Sequence, residues 1–117
     1  MSNKDKALGS VATLKIHQKA ILMQLSDAAS AARKSGDHQL AKQLKLKSIE
    51  LSRQNLVIHR AMQKILKAKD LAAVNQKLAD IVAQSEATLK GLNRTIKLLE
   101  KVADFITLLR RLIDVFK

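Results

Sequence analysis

The chain has 117 residues and a formal net charge of +12, from 22 Lys plus Arg against 10 Asp plus Glu, with no Cys, Pro, Trp or Tyr. This length suits one domain around a single core. The absence of cysteine excludes a disulfide framework, a thiolate zinc site and a cysteine nucleophile. The charge attracts an anionic partner, whether nucleic acid, anionic membrane or acidic protein, without saying which.

Alanine, leucine, lysine and glutamine dominate and are good helix formers, and only Gly9, Gly36 and Gly91 interrupt them. The expected class is all-α. The opening "MSNKDKALGS" has no apolar region with a cleavage site after it, and no window reaches about 18 uninterrupted apolar residues. A soluble chain kept in the cytoplasm is expected.

The first helix is predicted over residues 5–34. At 100° per residue, Val11, Leu14, Ile21, Leu22, Leu25, Ala29 and Ala32 share one face, opposite Thr13, Gln24 and Asp27. "SGD" at Ser35 to Asp37 ends it. Gly36 suits the left-handed position that closes a helix, and Asp37 can cap the next one with its carboxylate. A tight antiparallel hairpin follows.

The second helix is predicted over 38–67. Leu44, Leu46 and Ile49 nearly alternate with polar residues, as in a strand. However, Leu40, Leu44, Leu51, Ile58, Met62 and Ile65 fall in one helical direction over a much longer span. The opposite side collects Lys42, Arg53, Arg60, Lys64 and Lys67, with Lys45 at its edge. Glu50 is the one acid between His38 and Lys69. This basic face is the main candidate site, although a merely solvated cationic surface would look the same. Against that reading, Ile49 and Leu56 stand among the cations and Leu46 and Val57 flank them, which suggests a contact surface.

The third element is predicted over 70–116, with Asp70 as its cap. Leu71, Val74, Leu78, Ile81, Ser85, Leu89 and Leu92 follow at spacings of three or four, and the pattern continues through Ile96, Leu99, Ala103, Ile106, Leu109, Ile113 and Phe116. Because the phase survives "KGLNRT" at Lys90 to Thr95, one continuous or kinked helix is favoured. The alternative is a break near Gly91 and four helices. The expected fold is thus an elongated bundle of three long helices, a hairpin closed by a third that projects beyond it. That overhang would expose Leu99, Val102, Phe105, Ile106, Leu109, Leu112, Ile113 and Phe116, an assembly stripe needing a second copy or another protein to cover it.

No metal or cofactor is expected: no pair among His17, His38 and His59 has i, i+4 spacing, and no acid stands in a Glu-x-x-His relation to them. The scattered acids, including Asp80, Glu86, Glu100, Asp104 and Asp114, look like solvated surface groups. Without a phosphate loop, a serine elbow or aromatics to line a pocket, an enzyme is not expected. Nucleic-acid binding is a weaker alternative, since the helices look too long for a helix-turn-helix reader and no aromatic platform is evident. Membrane association, including as a helical pore component, is weaker as well. Leu98, Val102, Phe105, Ile106, Leu108, Leu109, Leu112, Ile113, Val115 and Phe116 form a wide C-terminal arc that calls for apolar partners on two sides, and its polar side nearly balances Glu100, Asp104 and Asp114 against Lys101, Arg110, Arg111 and Lys117. The expected function is a non-catalytic helical interaction or scaffold protein. It would assemble through the C-terminal stripe and show its basic face to an acidic partner.

Overall fold

The computed structural model describes residues 2–93 and 97–116, and among these every regular element is a helix. They are α1 (Asn3–Lys34), α2 (His38–Arg53), α3 (Asn55–Lys67), α4 (Ala72–Lys90), α5 (Leu98–Arg110) and α6 (Leu112–Val115), with a short 3-10 turn at Gly91–Asn93. Since α2 leads into α3 and α5 into α6 with one residue between, the helices form four rods. The bundle measures 53 × 23 × 20 Å, its long axis close to the length that 1.5 Å per residue gives α1.

The hairpin between α1 and α2 forms as its residues dictate. Gly36 takes φ 84°, which a side chain would resist, and Asp37 and Gly36 donate their backbone N–H groups to Ala32 O (2.9 Å) and Arg33 O (3.1 Å). Asp37 then accepts from the Leu40 amide at 3.1 Å and so caps α2. Ser2 caps α1 in the same way through Asp5, so α1 starts at Asn3, ahead of the expected residue 5. Asp70, expected to cap the next helix, accepts from the Ala72 amide at 3.1 Å but lies one residue before the cap position of α4, which Leu71 occupies.

Cross-links fix the direction of the rods. Lys4 Nζ donates to Leu66 O at 3.2 Å, bringing the start of α1 to the end of α3. Asn75 Nδ2 donates to Asn3 O at 2.9 Å, and His17 meets Ser85 14 residues further along α1, so α4 runs parallel to α1. Leu99 then lies by Leu40 and Leu44 of α2, and Phe116 by Gln63 of α3. The order is up-down-up-down, with α1 beside α2–α3 and α4, and α5–α6 closing the square.

The single continuous third helix is not what forms. α4 stops at Lys90, and the chain returns as α5, so the four-helix alternative holds; Arg94, Thr95 and Ile96, through which the expected stripe passed, lie outside the described residues. Energy decides the matter. Val102, Phe105, Leu108, Leu109 and Leu112 become buried against the other rods, and at about 1.5–3 kcal/mol each their burial is worth on the order of 10 kcal/mol. Interrupting a helix at Gly91, where glycine already disfavours it by about 1 kcal/mol, costs much less.

The second expected helix is also interrupted, at Gln54. There Leu51 O accepts from the Gln54 amide (3.1 Å), a one-residue tightening, and also from Gln18 Nε2 of α1 at 2.9 Å. A side-chain amide inserted into the ladder accounts for a local kink. Gln18 is itself buried. Replacing it with Ala removes this bond and leaves a void, and is expected to lower the unfolding free energy by about 2–3 kcal/mol in urea titration. Gln18→Met, which refills the space, should cost less than half as much.

Candidate partner-binding face

The outer surface of α2–α3 lies opposite its core positions. Leu44, Leu51, Ile58 and Ile65, each seven residues from the next, are all buried, so the helical phase passes the Gln54 kink unbroken. Whatever lies half a turn from this row faces solvent along the whole length of α2–α3. Lys42, Lys45, Arg53, Arg60, Lys64 and Lys67 are all exposed, as the sequence pattern requires.

None of these six cations forms an ion pair among the described residues. The acid in their midst, Glu50, is engaged by Lys47 at 3.1 Å and approached by Arg110 of α5 at 3.9 Å. Both contacts are at the surface and add little stability, but they neutralise Glu50 and leave the positive potential of the others uncompensated. Glu100 stands at the rim, beside Gln43, Leu46 and Lys47.

Apolar side chains interrupt the cations. Leu46, Ile49 and Leu56 are exposed by 57%, 42% and 55%, whereas Val57 is only half exposed. Leu66 on α3, which the sequence pattern did not single out, is 57% exposed as well. At the far end of the face, Arg60, Gln63, Lys64 and Lys67 surround a cleft of about 440 Å³ whose wall is Phe116. Sequence reasoning missed this aromatic neighbour, because a continuous third helix carries Phe116 far from α3. The signal that pointed toward such a contact is the wide apolar arc of the C-terminal segment, expected to need neighbours on two sides.

The expected assembly stripe needs correction. Val102, Phe105, Ile106, Leu109 and Leu112 are core residues of the single chain, Leu99 and Phe116 are half buried, and Ile113 alone is exposed, by 51%. No apolar overhang forms, because α5–α6 fold back along α2–α3 instead of extending α4.

His17, expected near the polar side of α1, is partly buried and meets Ser85 Oγ through Nδ1 at 2.7 Å. The Ser85 hydroxyl donates to Val82 O at 2.8 Å, so the histidine must donate through Nδ1–H. Ser85 is fully buried with its proton committed to a carbonyl, which makes the pair a tie between α1 and α4 with no accessible nucleophile.

Desolvation lowers the His17 pKa from its ordinary 6.5, and Glu86 opposes this weakly. Since the folded chain holds this proton less readily than the unfolded one, stability is unaffected by this group above pH 6.5 and declines as pH falls below it, through the cost of burying a charged ring while the Nδ1–H bond itself persists. The urea midpoint should therefore drop between pH 7.5 and 5, and His17→Gln should flatten that drop.

No group of three or more His, Cys, Asp or Glu able to hold a metal occurs among the described residues, and none of their helices is long and apolar enough to cross a membrane. Comparison with protein-family models, curated proteins and solved structures found no match.

Proposed function

We propose that the chain is a non-catalytic helical binding module that presents the α2–α3 face to an acidic protein partner. One observation carries this reading: six exposed cations with no ion pair among the described residues, interleaved with exposed Leu46, Ile49 and Leu56, on two successive helices whose opposite side is core. Cations alone would suit any polyanion. The exposed aliphatic residues add apolar area that a phosphate backbone cannot use and a protein surface can.

The test compares two labelled probes, poly-L-glutamate and a mixed-sequence DNA duplex, titrated by fluorescence anisotropy at several salt concentrations. The acidic-protein reading expects poly-L-glutamate to bind in a salt-dependent way through the six cations and DNA to bind no more tightly. Tighter duplex binding, with log K falling against log salt at a slope of about −5 as six phosphate contacts require, would establish a nucleic-acid binder instead.

A further inference from the structure

The outward row of α2–α3 has an order that charge alone does not need. Leu46, Ile49, Arg53, Leu56 and Arg60 succeed one another at spacings of three, four, three and four, and Lys42 precedes Leu46 by four. Lys67 continues the pattern seven residues after Arg60. This is the repeat by which one helix lies along another, with each side chain of the seam meeting a hole between four of the partner. Seven-residue spacing is also kept by the buried row behind it, so the seam stays on one side of the rod through the kink.

We propose that this row is a hetero-helical docking seam for an acidic amphipathic helix, with apolar residues opposite Leu46, Ile49 and Leu56 and carboxylates opposite Arg53 and Arg60. The assignment rests on the reading above that the face meets an acidic protein, and adds the partner's secondary structure and register. Arginine at seam positions is the reason for a foreign partner. Two copies of the row would set cations into each other's seam, and like charges there oppose pairing. Nor does the chain carry a helix that would answer this seam: α1 has six cations and two acids, while α4 and α5 each balance two against two. A helix of about 20 residues spans Lys42 to Arg60, and Lys45 and Lys64 beside the seam would meet its flanking carboxylates.

Two synthetic 28-residue peptides of identical composition and net charge test this. One places Leu opposite Leu46, Ile49 and Leu56 and Glu opposite Arg53 and Arg60 and beside the seam; the other permutes the same residues so that the leucines share no face. Isothermal titration at moderate salt should give the ordered peptide an affinity at least about tenfold higher, about 1.4 kcal/mol, with a gain in helical circular dichroism on mixing. Replacing Leu46, Ile49 and Leu56 together with Ser should erase the preference while leaving the permuted peptide's affinity unchanged. Ile113→Ser, at an exposed apolar site away from the seam, should keep the preference. Equal affinities for the two peptides, or a preference that survives the triple substitution, would overturn the seam and leave the acidic-partner reading standing. Failure of both peptides to bind would overturn both.

Discussion

Reversing three charges on the α2–α3 face, Arg53→Glu with Arg60→Glu and Lys64→Glu, is expected to weaken binding of poly-L-glutamate by roughly two orders of magnitude at low salt. Each change removes an attraction and adds a repulsion, and at about 0.5 kcal/mol for each exposed pair the sum is about 3 kcal/mol. The three sites carry no ion pair within the described chain, and all are exposed, so folding stability should move by less than about 0.5 kcal/mol per site. Arg60 and Lys64 repel each other as an i, i+4 pair, and their reversal replaces one like-charge pair with another. A variant that folds normally and binds poly-L-glutamate as well as the parent would show that the cations merely solvate the face.

Phe105→Ala is the largest stability change expected in the molecule. Phe105 is fully buried and is the bulkiest side chain in the core, and truncating such a residue costs about 3–5 kcal/mol. Domains of this size hold about 5–15 kcal/mol in total, so the variant should unfold at a much lower urea concentration. The same experiment separates a core residue from an interface residue. If Phe105 packs within one chain, the midpoint of parent and variant is independent of protein concentration. If it packed between chains, the midpoint would rise with concentration by mass action.

Where a contact is local, the chain announces it. Gly36 and Asp37 mark the hairpin because one needs a left-handed backbone and the other a short acceptor, and both requirements are met within five residues. The buried rows of α1 and α2–α3 were legible because their apolar side chains keep helical spacing over the whole length of each rod, whereas the outward Leu46, Ile49 and Leu56 alternate with cations. Gln18 was not, since its reason for burial lies on Leu51, 33 residues away. The break after Lys90 was hidden by a partial coincidence of phase: Ile106 and Leu109 in the row continued from α4 are buried, but Leu99, Ala103 and Phe116 are only half buried and Ile113 is exposed, and the core row of α5–α6 is Leu98, Val102, Phe105, Leu109 and Leu112. Periodicity reports which face is apolar and not which neighbour covers it. For the same reason the six exposed cations of the α2–α3 face could be read from the sequence, while the Phe116 wall at its far end could not. That contact exists only because α6 returns to α3.

The openness of the α2–α3 face depends on one chain closing its own core with α5 and α6. The most direct measurement is the solution mass of the full chain, by light scattering during size-exclusion chromatography at low and at high salt. A self-closed bundle gives 13.0 kDa in both buffers. A mass of about twice that value or more, persisting or growing at high salt where apolar contacts strengthen, would mean that the C-terminal stripe is shared between chains and that the four-rod monomer is not the folded unit.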